Sequence, residues 1–100
     1  MKVLVVSCDN GGIIGVARSE GEQAKWAVEL LMKRQWLDRF TSVYYEVNGE
    51  YQWEEVGIAF GENWEDFMKN LTINEFNELW EGCFYLEVFD VHGVNNVTIW

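Results

Sequence analysis

Beyond Arg39 the sequence holds one cation, Lys69, against twelve carboxylates. Up to Arg39 it carries six basic and five acidic residues, so the formal net charge of −10 arises in the later part of the chain. A surface of that sign repels phosphates. It argues against direct nucleic-acid binding and against attachment to anionic membranes. Charge asymmetry along a chain points to a partner of opposite sign. Long apolar runs are also missing. No stretch approaches the roughly eighteen residues of a membrane span. The opening MKVLVVSC meets Asp9 and two glycines too early for a signal peptide, and reads as a first strand. A cytoplasmic protein is expected.

Residues able to carry catalysis are equally scarce. There are two cysteines, Cys8 and Cys83, and one histidine, His92. Two thiols fit a reducing compartment as free cysteines. A disulfide between them stays open, because neighbouring strands would bring them together. One histidine and two distant cysteines do not make a zinc site. No calcium loop of the D-x-D-x-D-G type occurs. DNGGIIG (Asp9–Gly15) places glycines after a strand, as phosphate-binding turns do. Such a turn must open onto a helix N-terminus, whereas here another strand-like segment follows and G-K-[ST] is lacking. A hairpin turn is expected instead. Cys8, Asp90 and His92 have the residue types of a nucleophilic triad. Acidic surroundings would raise a cysteine pKa, the wrong direction for a thiolate. The carboxylate pairs Glu54–Glu55, Glu65–Asp66 and Glu87 with Asp90 show no sign of the fixed gap in a cleft that acid–base work requires. N-x-T sequons at Asn70 and Asn96 have no consequence without secretion. The expectation is a non-enzymatic protein with no cofactor and no metal.

What is present is a well-supplied core. One hundred residues, 49% hydrophobic and 16% aromatic, suffice for one domain. Lys2–Cys8 is apolar on both faces, as a buried strand is. Asn10–Gly11 marks a hairpin, and Ile13–Ala17 returns. Ser19 with Glu22 has the spacing of a capping box, predicting a helix to about Leu37 with Ala24, Ala27, Val28, Leu31 and Met32 inward. SVYYEV and YQWEEV flank Asn48–Gly49 in a second hairpin. A three-residue loop would set Val43, Tyr45, Tyr51 and Trp53 on one face and Tyr44, Gln52 and Glu54 on the other. That separation of apolar from polar favours it over a two-residue loop. Beyond Trp53 the apolar parity shifts to Val56, Ile58 and Phe60, predicting a bulge or break near Glu54–Glu55. Asn63 caps a helix whose Trp64, Phe67, Met68 and Leu71 share one face. Thr72 and Glu75 form a capping box for a further short helix with Ile73, Phe76, Leu79 and Trp80 inward, stopped by Gly82. Cys83–Val91 is a strand, followed by the loop HGVNN and a short strand VTIW. The expected fold is a single α+β domain, ββα-ββ-αα-ββ, with a mostly antiparallel sheet.

This leaves Glu65, Asp66, Glu75, Glu78 and Glu81 outside on the helices, and Glu46, Glu50, Glu54 and Glu55 on the hairpin. Glutamates along a helix are usually its solvated face. Here the excess is one-sided, exceeds the net charge of about 2–8 that serves solubility, and costs stability by self-repulsion. The alternative is a binding face for a basic site, such as that of a nucleic-acid-handling protein or nuclease. Glu75, Glu78 and Glu81 rise by about 4.5 Å per step, against one charge per about 1.7 Å in duplex DNA. One helix is too sparse to imitate DNA, so helices and hairpin would have to pool their carboxylates. Tyr44 and Tyr51 would add aromatic anchors.

In size, ββα opening and the acidic helices GENWEDFMKN and NEFNELWEG, the chain resembles small acidic bacteriophage proteins, among them anti-CRISPR and other DNA-mimic inhibitors. The resemblance covers the whole chain and is compositional. These proteins share no motif, so no functional residue is transferred. It implies antagonism of host defence through a basic partner. Acidic immunity proteins that neutralise nuclease toxins are similar for the same physical reason. A different class is a structural domain whose homodimer buries Trp36, Tyr44 or Trp100 while its acidity confers solubility. An inhibitor is expected to be a monomer or a homodimer.

Overall fold

The computed structural model describes residues 2–19 and 21–90. Its elements run β1 (Lys2–Cys8), β2 (Ile13–Arg18), α1 (Lys25–Lys33), β3 (Ser42–Val47), β4 (Glu50–Glu55), α2 (Val56–Phe60), α3 (Trp64–Asn70), α4 (Ile73–Leu79) and β5 (Phe84–Asp90). The fold is α+β with antiparallel sheets, as the sequence pattern requires. The expected strand VTIW, His92 and Trp100 lie outside the described residues.

β1 is the centre of a three-stranded sheet of order β2-β1-β5. Its two-sided apolar character follows from pairing on both edges. One face carries Leu4, Val6, Ala17 and Leu86 into a core shared with Ala27, Val28, Leu30 and Leu31 of α1. Asp9–Gly12 forms the hairpin loop, in which Asn10 Oδ1 accepts from the Gly12 amide at 3.0 Å. The glycines therefore serve a strand reversal and open onto no helix.

α1 is shorter than the capping pattern predicts. Ser19 and Glu22 do not cap it, and Ala24 occupies the N-cap without a side-chain bond. The backbone before it is claimed by the α3–α4 connection. Gln23 bridges Thr72, the Ala24 amide donates to Leu71 O at 2.8 Å, and the Ile73 amide donates to Glu22 O at 2.8 Å. These bonds satisfy the groups that an earlier helix start would use. The far end closes with Gln35 at positive φ. There Trp36 N–H reaches Leu31 O and Gln35 N–H reaches Met32 O, the two bonds of a Schellman motif.

The second hairpin departs from expectation. Tyr44 pairs with Trp53 and Val47 with Glu50, leaving a two-residue loop at Asn48–Gly49. Both loop residues have positive φ, 53° and 85°, as a type I′ turn requires. Its twist matches the strands, and this local preference overrides the separation of polar from apolar. Tyr44, Glu46, Tyr51 and Trp53 consequently share one face. Val43, Tyr45 and Val47 share the other with Glu54, Gln52 and Glu50. Only this second face is anchored: Val43 is buried, and Tyr45 packs on Phe60 at 5.4 Å.

After Glu55 the chain turns into α2 instead of continuing as a strand. The Val56 amide donates to Thr41 O, and the Gly57 amide to Arg39 O at 2.7 Å. A Cβ on Gly57 would lie 3.2 Å from that oxygen, so glycine permits the approach. α3 buries Trp64 and Met68, whereas Phe67 is exposed and stacks on Phe60. Beneath α4, Phe76, Trp80 and Phe84 form a continuous aromatic cluster, with ring centroids 6.2 and 5.2 Å apart.

Candidate functional site

α4 begins as its sequence predicts. Thr72 accepts from the Glu75 amide at 3.1 Å, and Glu75 Oε1 accepts from the Thr72 amide at 2.9 Å. The Thr72 amide first, and the Thr72 hydroxyl second, hold the Glu75 carboxyl below its ordinary value. A lowered carboxyl pKa contributes stability that is present above the unfolded value and lost as pH falls through the folded one. Glu75→Gln keeps the hydrogen-bonding shape but cannot titrate. Its melting temperature should lie below wild type at neutral pH and converge with it as pH falls below the usual carboxylate range. A constant gap across that range would refute this role. Glu75 thus fastens the helix.

Glu78 on α4 and Glu81 in the turn that follows it both stand between two grooves. Since the helix ends at Leu79, the expected helical row of Glu75, Glu78 and Glu81 stops at Glu78. An open groove of about 620 Å³ is lined by Tyr44 and Tyr51 on the hairpin and by Glu78, Leu79 and Glu81 opposite. A second groove, of about 630 Å³, is lined by Cys8, Asp9, Asn77, Glu78, Glu81 and Tyr85, among others. Glu78 and Glu81 line both, so they form an acidic ridge with exposed tyrosines on either side. Among the described residues neither makes an ion pair, nor does Glu46.

The exposed face of the hairpin extends the first groove. Tyr44 lies 5.5 Å from Tyr51 and 5.2 Å from Trp53, centroid to centroid. The three rings are 47%, 61% and 61% exposed. Glu46, directly opposite Tyr51, stands on the same face.

The structure therefore brings Tyr44, Tyr51, Glu46, Glu78 and Glu81 together, and it separates the other candidates. Glu50 and Glu54 lie on the opposite face of the hairpin, through the two-residue loop. Glu54 is half-buried and accepts from the Glu55 amide at 2.9 Å. Glu55 is half-buried at the hairpin base, opposite Ser42. Glu65 and Asp66 occupy the first turn of α3, where negative charge favours the helix dipole. Neither lines a groove with Glu78 and Glu81. The pooling of all hairpin acids on one face is thus corrected to Glu46 with the ridge.

The structure adds Trp53 to the hairpin face and Asp9 to the second groove. The Asn-Gly pair, taken at its local preference, identifies Trp53 as a neighbour of Tyr44. Asp9 is placed only by the β1–β5 pairing, which sets Cys8 opposite Phe84. Cys8 and Cys83 are free, half-buried thiols lining the second groove. Burial and the nearby Asp9 carboxylate push the Cys83 thiol up, away from the reactive thiolate. Cys8 Sγ donates to Asn10 Oδ1 at 2.8 Å. Among the described residues no three His, Cys, Asp or Glu side chains group to hold a metal ion, and no helix is long and apolar enough to cross a membrane. No family model, curated protein or solved structure matches the chain.

Proposed function

We propose that this domain is a non-enzymatic binding protein that occupies a basic, nucleic-acid-binding site on a partner protein, as phage-encoded inhibitors of host defence do. The observation that supports the reading is the ridge of Glu78 and Glu81, flanked by grooves whose walls carry Tyr44, Tyr51 and Tyr85. Uncompensated carboxylates steer a basic partner in, and exposed aromatics give it area to bury. Their cationic counterparts lie elsewhere: Arg18 and Lys25 cover Trp26, and Arg39 covers Phe40.

The test uses immobilised protein and host lysate, loaded at low salt and eluted by a salt gradient. Any captured protein is then assayed for release of a bound DNA duplex by the free domain. The variant is Glu78→Gln with Glu81→Gln. Charge screening predicts elution at moderate salt, and the variant should capture at least about tenfold less, as loss of interface charge pairs does. Capture that the variant retains, or a captured protein that keeps its DNA, rejects the reading.

A second reading rests on a different surface. On the sheet face away from α1, Ile13, Tyr85 and Phe89 stand in register with Ser7 and Val3, and all three are exposed. Such a face suits self-association. Sedimentation in high salt, read beside the capture assay, separates the two readings. A dimer that persists and captures no basic protein supports the second, whereas salt-sensitive capture supports the first whether the domain is monomeric or dimeric.

A further inference from the structure

We infer that the hairpin face of the first groove selects arginine over lysine, so that the partner presents an arginine-rich segment. This rests on the basic-partner reading above and narrows it. Three exposed rings are grouped on one face of the hairpin: Tyr44 of β3 packs against both Tyr51 and Trp53 of β4, with centroids 5.5 and 5.2 Å apart. Tyr44 is tilted by 37° to each of the other two rings, so the group offers several differently oriented flat surfaces. Glu46 stands beside the group, and Glu78 and Glu81 face it across the groove. Aromatic faces alone would accept any apolar surface. Carboxylates alone would accept any cation. The combination suits a flat cation that stacks on a ring while its edge donates to a carboxylate. Guanidinium does both, because it is planar, weakly hydrated and has a fixed fork of donors. An ammonium is a hydrated point charge that gains less from the ring and cannot bind in the same two-pronged way.

The rest of the molecule shows what such rings do when cations are near. Trp26 is covered by Arg18 at 5.0 Å and Lys25 at 5.1 Å, and Phe40 by Arg39 at 4.6 Å. Tyr44, Tyr51 and Trp53 have no such cover among the described residues, and Lys69, the one cation beyond Arg39, pairs with Glu29. These rings are therefore an exposed aromatic surface beside carboxylates, left uncovered by the cations of the described residues.

The test is calorimetric titration of the whole domain with nona-arginine and nona-lysine peptides, which carry equal charge. Arginine should bind about five- to tenfold tighter, the scale of one or two added cation–π contacts. Tyr44→Ala with Trp53→Ala, checked for folding by circular dichroism, should bring the two peptides to equal affinity while charge-driven binding persists. Trp53→Ala alone, at a more exposed position, should reduce the preference part-way. Equal affinity of wild type for both peptides overturns arginine selection and leaves the basic-partner reading standing. Failure of both peptides to bind at low salt overturns arginine selection and the basic-partner reading together. An arginine preference that survives in the double variant overturns its placement on these rings.

Discussion

Phe76→Ala should destabilise the domain by roughly 3–5 kcal/mol, the range for emptying a buried aromatic site. A domain of this size has about 5–15 kcal/mol in total, so the variant would be near its unfolding limit at room temperature. The expectation follows from position. Phe76 is fully buried on α4 and touches the cluster that joins this helix to β5 through Trp80 and Phe84. Helix and strand can collapse little into the space, since α4 is fixed at its start by the Thr72–Glu75 box. Trp80 provides the contrast. It is as buried as Phe76, yet its indole Nε1 finds no hydrogen-bond partner among the described residues. A buried donor left unpaired costs about 1–3 kcal/mol. Trp80→Phe removes that donor along with some packing, so the two effects oppose. The variant should lie within about 1 kcal/mol of wild type. Urea unfolding of both variants measures the difference. A Trp80→Phe loss as large as that of Phe76→Ala would mean the nitrogen has a partner in solution.

The elements legible in the sequence were those with one dominant local cause. Thr72 with Glu75 made a capping box because nothing nearby competes for either group. Ser19 with Glu22 has the same spacing and failed, because Glu22, Gln23 and Ala24 bond to the α3–α4 connection instead. That connection is distant in sequence, so no local pattern announces it. The same holds for α2. Val56, Ile58 and Phe60 alternate as in a strand, and the strand ends only because Thr41 and Arg39 supply acceptors for the next two amides. At the second hairpin the local cause wins. Separation of polar from apolar side chains favours a three-residue loop, but the Asn-Gly backbone preference decides the register.

That register also decided how much of the site could be read. Moving the loop from three residues to two turns Trp53 outward beside Tyr44 and sends Glu50 and Glu54 to the opposite face. Tyr44 and Tyr51 were candidates as neighbours of acids, and they do share the exposed face with Glu46. Glu78 is legible as the outer side of α4, whereas Glu81 falls in the turn after it, because the helix ends at Leu79. Their placement across a groove from the tyrosines depends on how α4 lies against β3, which spacing along the chain does not encode. The role of Asn77, one residue from Glu78, was invisible for a similar reason, because its partner is a backbone on another element.

Asn77→Ala should free the outer edge of β5 and lower stability by about 2 kcal/mol, from two backbone groups left without partners in a half-buried position. In the structure Asn77 Oδ1 accepts from the Leu86 amide at 2.8 Å, and Asn77 Nδ2 donates to the Leu86 carbonyl at 3.0 Å. One side chain thereby imitates the pair of bonds that a neighbouring strand would make. Leu86 lies opposite Val6 in β1, and its two outward groups would otherwise form part of an open sheet edge. Open edges invite pairing with other chains, so the variant should also associate at high concentration. Asn77→Asp separates the two bonds. Its carboxylate still accepts from the amide but meets the carbonyl as a second acceptor, so this variant should gain relative stability as pH falls and the acid becomes a donor. Hydrogen exchange at the Leu86 amide, read beside urea unfolding, tests the assignment. If that amide in Asn77→Ala remains as protected as in wild type, the clamp is not what holds α4 to β5. If protection is lost while Glu78 and Glu81 keep their effect on partner capture, the clamp is a fastening of the fold that stands apart from the binding ridge beside it.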